Sequence, residues 1–227
     1  MVLGNGLFNL FQLENISGAT VVIDNRFHQS RGTKVHERMF RLGGLRPAVR
    51  AVPGGGTEVP LWILGSSTFG AELAAALGLP YAFASHFAPD ALFDALEIYR
   101  KQFKPSKQLD GPYAMVGVNV VAADTDEEAR RLFTTVQQSF TNLLRGSPGK
   151  LQPPIDGIEE YWTPPEKHQA SRMLKYSIVG SPETVRGDLE NFVALTNADE
   201  LTVVCSIYDH AARIGSYEIV AEITSPH

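Results

Sequence analysis

Two serines flanked by glycines follow a short apolar run that has the pattern of a strand buried on both faces. The segment is Gly65-Ser66-Ser67-Thr68-Phe69-Gly70. Backbone N–H groups at a helix start attract anions, hydroxyl groups beside them can donate further hydrogen bonds, and glycines let a ligand approach. The segment therefore indicates a phosphate-binding turn. Capping of the helix by Ser66 or Ser67 is the alternative that the local pattern leaves open.

A histidine stands at the end of the next predicted strand, in Ala84-Ser85-His86-Phe87. An imidazole at a strand end can donate to a carbonyl group or exchange a proton near neutral pH. A purely structural hydrogen bond is the alternative, because no carboxylate is adjacent in the sequence. Asn119 lies inside the third predicted strand, where its side chain faces either the interior of the sheet or a ligand.

Other candidates favour structural roles. Asp209 is expected to cap the last helix with His210 in its first turn, and Cys205 is expected to be a small buried hydrophobic residue. The sequence shows no metal-ligand spacing, no G-x-S-x-G and no P-loop. The glycines at 54–56 precede a strand, so they do not form a dinucleotide fingerprint.

The composition excludes several classes of partner. The 227 residues are 44% hydrophobic and 20% charged, which is typical of a globular domain. A net charge of −5 with scattered Lys and Arg argues against nucleic acid and membrane surfaces. The single cysteine excludes an internal disulfide, and no run approaches the ~20 apolar residues of a spanning helix. Since the N-terminus lacks a secretory pattern, a soluble cytoplasmic protein is expected.

The elements that must position these residues alternate between strand and amphipathic helix. Predicted strands are Pro60–Leu64, Tyr81–Ala84, Tyr113–Ala122 and Leu201–Cys205. Predicted helices are Ser67–Leu77, Pro89–Phe103, one capped by Asp124, Glu166–Tyr176, one capped by Ser181 with Val185, Leu189, Phe192 and Val193 on its buried face, and Ala211–Ile223. This alternation predicts right-handed crossovers and a parallel α/β sheet with four strands after residue 59, too few for a closed eight-stranded barrel.

Two segments interrupt the alternation. Residues 1–50 form an atypical N-terminal segment with one predicted strand, Thr20–Ile23. Residues 51–227 form the second unit, which begins with the turn-rich connector Val52–Thr57. Gly146–Pro165 contains five prolines, and a loop of this length is typical of a lid or binding loop.

Four stretches carry a resemblance to a known family: VPLWILGSSTFGAELAAALGLPYAFASHFAPD, YAMVGVNVVAADTDEEARRLF, VGSPETVRGDLENF and ADELTVV. In this order and spacing they resemble the C-terminal half of luciferase-like flavin-dependent monooxygenases, from about Arg50 to the C-terminus. The resemblance implies a TIM (β/α)₈-type barrel that binds FMN, with reduced flavin supplied by a partner reductase, O₂ as co-substrate and a small organic molecule as substrate.

The resemblance also implies roles for particular residues. The turn would hold the flavin phosphate through Ser66, Ser67 and the backbone at Gly70, and Ala84, Ser85 and His86 would lie beside the isoalloxazine ring. No catalytic residue and no metal site is implied.

The N-terminal part of the family pattern has no counterpart in residues 1–47. We therefore expect an incomplete barrel of about four C-terminal βα units and a truncated monooxygenase, with a non-catalytic flavin-binding or structural remnant as the alternative. Because an open half-barrel exposes strand edges and apolar helix faces, we also expect a homo-oligomer.

Overall fold

The computed structural model describes residues 21–24 and 60–225. The strands are β1 (Val21–Asp24), β2 (Leu61–Gly65), β3 (Tyr81–Phe83), β4 (Ala114–Ala122), β5 (Ile178–Gly180) and β6 (Glu200–Val204). The α-helices are α1 (Thr68–Leu77), α2 (Leu92–Gln102), α3 (Asp126–Leu144), α4 (Pro164–Met173), α5 (Pro182–Thr196) and α6 (His210–Thr224), and a 3₁₀ helix covers Ile158–Glu160.

The strands form one parallel sheet, as the alternation of strand and helix predicts. They pair in the order β1, β2, β3, β4, and β4 also pairs with β5 and β6. Five strands follow residue 59, so the predicted number of four is wrong. The strand that was not predicted is β5, whose three residues pair with Val120–Ala122. Among the described strands none pairs β1 with β5 or β6, so this part of the chain is not a closed barrel.

The two faces of the sheet differ in what covers them. On β4, Val116, Val118 and Val120 belong to a buried cluster with apolar residues of α1, α2, α5 and α6. Residues alternate sides along a strand, so Gly117 and Asn119 point to the opposite face. The helices α1, α2, α5 and α6 therefore cover one face of β4. On the other face, which carries Asn119, Val121 packs with Ala129, Leu132 and Val136 of α3.

The structure corrects two predictions about helices, one about a capping residue and one about a buried face. Thr125, not Asp124, caps α3: its backbone is extended and its side chain accepts a hydrogen bond from the Glu128 N–H. Val193 is 39% exposed, whereas its neighbour Phe192 is buried. One residue along a helix turns the side chain by ~100°, which carries Val193 out of the buried stripe of α5.

The proline-rich segment lies against α3. Thr135 Oγ1 donates to the Gln152 carbonyl at 3.0 Å, and Gln138 Nε2 donates to the Pro153 carbonyl at 2.9 Å. The segment ends earlier than predicted, because Pro164 and Pro165 occupy the first turn of α4. Proline fits there because the first helical N–H groups have no intrahelical partner. Within 21–24 and 60–225, none of the helices combines the length and apolar character that crossing a bilayer requires.

Candidate functional site

Strand pairing brings the two predicted ligand segments to the same edge of the sheet. Gly65, at the end of β2, pairs with Phe83, and the Ala84 N–H donates to the Gly65 carbonyl at 2.9 Å. Phe83 in turn pairs with Val116 of β4. The segments that begin at Ser66 and Ala84 therefore leave neighbouring carboxyl ends, where ligands bind in parallel α/β sheets.

The turn after β2 presents hydroxyl groups beside a helix start. Ser67 is the N-cap residue of α1, but its side chain makes no capping hydrogen bond to the described residues. Ser66 is exposed, Ser67 is half-buried and Gly70 is buried. The capping alternative is therefore right about the position of Ser67 and wrong about its hydroxyl. First-turn N–H groups without intrahelical partners and nearby hydroxyls suit a phosphate oxygen.

Tyr81 fixes this turn from inside the protein, a contact that sequence reasoning missed. Its hydroxyl donates to the Ser67 carbonyl at 3.1 Å. The residue is fully buried, and burial raises the pKa of its phenol above the ordinary value, so it remains a neutral donor. An aromatic residue at a strand start signals only a core position, and the sequence carried no clue to this bond.

Ser85 and His86 lie against the strand β4. Ser85 Oγ is buried and donates to the Gly117 carbonyl at 2.5 Å. His86 fills the space that the missing side chain of Gly117 leaves, since a Cβ at Gly117 would overlap His86 Nδ1. Gly117 was not singled out in the sequence, although a glycine inside a strand is a known sign of close approach by another group.

Asn119 holds the same turn through its side chain. Its Nδ2 donates to the His86 carbonyl at 2.7 Å and lies 3.4 Å from Ser177 Oγ. Only 4% of the residue is exposed. Asn119 thus takes the interior position of the two left open by the sequence, and it connects the turn after β3 to the residue before β5.

His86 is half-buried, and this partial burial sets the charge of its ring. Desolvation lowers the pKa of the imidazole to about 4, because the interior disfavours the charged form. At neutral pH the ring is therefore uncharged. It can donate or accept a hydrogen bond, but it is not a cationic partner for phosphate.

The remaining candidates take structural roles. Asp209 caps α6 by accepting from the Ala212 N–H at 2.8 Å, and His210 is the first residue of that helix. Cys205 is buried, and burial raises the pKa of its thiol. In the part of the chain that the structure describes, no group of three His, Cys, Asp or Glu residues is placed to hold a metal ion.

Comparisons with known proteins agree with the fold and with the family resemblance. A sequence model of the luciferase-like monooxygenases matches residues 26–198, which extends further toward the N-terminus than Arg50. The chain is 50% identical to the uncharacterized protein YvbT of Bacillus subtilis over 80% of this chain and 54% of that protein. It is 49% identical to a luciferase-like monooxygenase of Escherichia coli K12 over 78% of this chain and 53% of that protein. The chain thus spans about half the length of the curated relatives that it matches.

Solved structures show the same architecture. Apo-MsnO8 is 31% identical and superimposes with a TM-score of 0.63 over 85% of this chain and 59% of its own. The oxygenating constituent of 3,6-diketocamphane monooxygenase from Pseudomonas putida, solved in complex with FMN, is 22% identical. Its TM-score is 0.51 over 82% of this chain and 53% of its own.

Proposed function

Because the chain belongs to the luciferase-like monooxygenase family, we propose that it binds FMN at the carboxyl ends of β2 and β3. In this proposal it serves a flavin-dependent monooxygenase reaction on a small organic substrate. One observation carries the proposal: the Ser67 hydroxyl stands at the N-cap of α1 without capping it within the described chain. The hydroxyl, with its exposed neighbour Ser66, is therefore available to an anion.

The residues divide into a phosphate side and a ring side. Ser66, Ser67 and the first-turn N–H groups up to Gly70 would hold the flavin phosphate, because each can donate a hydrogen bond to an anionic oxygen. Ala84, Ser85 and His86 would border the isoalloxazine ring. A neutral His86 can donate to a flavin carbonyl without adding charge beside the ring.

Reduced FMN would supply two electrons to O₂, so that one oxygen atom enters the substrate and the other leaves as water. The protein's part is to bind and orient. The pairing of Gly65 with Phe83 keeps the phosphate turn and the ring segment at a fixed separation.

The FMN complex of the Pseudomonas putida relative supports the choice of flavin. A reductase that delivers reduced flavin, a cytoplasmic location and self-association are further parts of the proposal. A mass measurement by light scattering tests the last of these, because a monomer would contradict it.

Flavin binding without turnover is the second candidate, favoured by the match to only about half the length of the curated relatives. The two functions separate in one series of experiments. We expect saturable quenching of FMN fluorescence and a rise in Tm with FMN, and we expect flavin-dependent O₂ consumption with a reductase and a panel of aldehydes. FMN binding without O₂ turnover selects the second candidate, and absence of both FMN effects refutes both.

A further inference from the structure

Asn119 is an exception in its strand. The other buried side chains of β4, from Ala114 to Ala122, are apolar, whereas Asn119 carries a polar amide and is only 4% exposed. A buried amide destabilises a fold unless its hydrogen bonds are made, and an apolar residue of the same size would serve the core at least as well. The side chain therefore contributes something other than core packing.

The bonds of Asn119 show what that contribution is. Its Nδ2 donates to the His86 carbonyl at 2.7 Å across 33 positions of sequence. One residue earlier in the turn, Ser85 Oγ donates to the Gly117 carbonyl. Two successive residues of the turn are thus tied to β4, one through its side chain and one through its backbone.

Gly117 completes the arrangement. Any side chain at this position would overlap the His86 ring, so the glycine leaves the space in which the imidazole packs against the strand. The ring cannot move away easily while Asn119 holds the backbone of the same residue. Burial in this space lowers the pKa of the imidazole to about 4 and keeps it neutral.

A second set of contacts holds the far side of the turn. The Phe87 ring packs against Phe140 of α3 with centroids 6.3 Å apart, and Asp90 pairs with Arg172 of α4. The exposed pair contributes little by itself. The turn after β3 is therefore restrained between β4 on one side and the α3–α4 pair on the other.

We propose that Asn119 and Gly117 are positioning residues that fix the His86 imidazole at the ring side of the flavin site. The inference rests on the proposed function, since it assigns these residues to the same site. They act through His86, so neither needs to touch the flavin.

The test compares two isosteric losses of a buried amide. Asn119→Leu removes the donor to the His86 carbonyl. Gln138→Met removes the donor to the Pro153 carbonyl at 2.9 Å, from a residue of α3 that is also 4% exposed but bonds to the proline-rich segment and not to the turn after β3. Asn119→Leu also loses the long contact of 3.4 Å to Ser177 Oγ, whereas Gln138→Met loses a single bond. Each variant loses one short hydrogen bond to a carbonyl, so a merely structural role predicts no change in the titration of His86 that is specific to Asn119→Leu.

Two properties are measured for the wild type and for each variant. The first is an NMR titration of the His86 ring between pH 5 and pH 8. The ring signal is assigned to His86 because it is missing from the spectrum of His86→Gln. We expect no titration in this window in the wild type or in Gln138→Met, and a midpoint near the ordinary pKa of about 6.5 in Asn119→Leu. The second is affinity for FMN and for riboflavin, which we expect Asn119→Leu to weaken alike by about 5- to 10-fold, because the ring is common to both.

The outcomes separate the inference from the proposed function. If His86 titrates identically in Asn119→Leu and in Gln138→Met, the positioning role is overturned whatever the flavin data show. If wild-type protein binds neither flavin, the proposed function fails, and with it the placement of His86 at a flavin site. Should Asn119→Leu not fold, Gly117→Ala replaces it with the same expected titration, because the added methyl group displaces the ring from this space.

Discussion

Acidification should destabilise the protein through His86 in particular. The imidazole pKa falls from 6.5 in the unfolded chain to about 4 in the folded protein, because burial disfavours the charged form. The unfolded chain therefore binds more protons between these two values. Stability from the neutral ring is fully present above pH 6.5 and is lost as the pH falls toward 4.

The size of the effect follows from the two pKa values. The difference is about 2.5 pH units, from 6.5 minus 4, and each unit corresponds to about 1.4 kcal/mol. At pH 4 half of the folded molecules carry the proton, so the loss between pH 7 and pH 4 is about 3 kcal/mol. Carboxylates also titrate in this range, so the measurement needs a reference protein that shares them.

His86→Gln provides that reference, because it keeps a neutral side chain that can form hydrogen bonds and removes the titration. Urea unfolding followed by circular dichroism at pH 7, 6, 5 and 4 gives the free energy of unfolding of each protein. The wild-type value should fall by about 3 kcal/mol more than that of His86→Gln over this range. Parallel curves would refute the assignment of a half-buried, neutral imidazole to the space beside Gly117.

Two further predictions concern stability, both measured by urea unfolding. Gly180→Ala should lower the free energy of unfolding by about 1 to 3 kcal/mol, since the new Cβ would lie 2.6 Å from Thr184 Cγ2. Gly187→Ala is the control, because no described atom lies within 4 Å of its new Cβ, and it should stabilise α5 by about 0.5 to 1 kcal/mol. Equal effects of the two substitutions would contradict the packing argument. Thr125→Ala should lose about 0.5 to 2 kcal/mol of capping free energy, and Asp124→Ala should stay within about 0.5 kcal/mol of the wild type. A larger loss of stability in Asp124→Ala than in Thr125→Ala would instead identify Asp124 as the capping residue.

The parallel α/β class could be predicted because alternating apolar runs and helical stripes are local patterns. The strand β5 could not, because Ile178–Gly180 is only three residues long and lies directly before the cap at Ser181. Its identity as a strand comes from pairing with Val120–Ala122, which the sequence does not contain as a local signal.

The candidate site shows the same division. Ser66 and Ser85 could be singled out because they follow predicted strands. The contacts that organise them join residues far apart in sequence, as in the bonds from Asn119 to His86 and from Tyr81 to Ser67. Such contacts depend on strand register and on which face a side chain takes, and both are set by tertiary packing.

The central claim is that the turn after β2 holds the phosphate of a flavin, and a comparison of FMN with riboflavin tests it most directly. Ser66→Ala/Ser67→Ala should weaken FMN binding by about 1 to 3 kcal/mol, through lost hydrogen bonds to a charged group, and leave riboflavin binding unchanged. Ser171→Ala, an exposed serine on α4, is the matched control and should change neither. Equal affinities of the double variant and the wild type for FMN would contradict the claim.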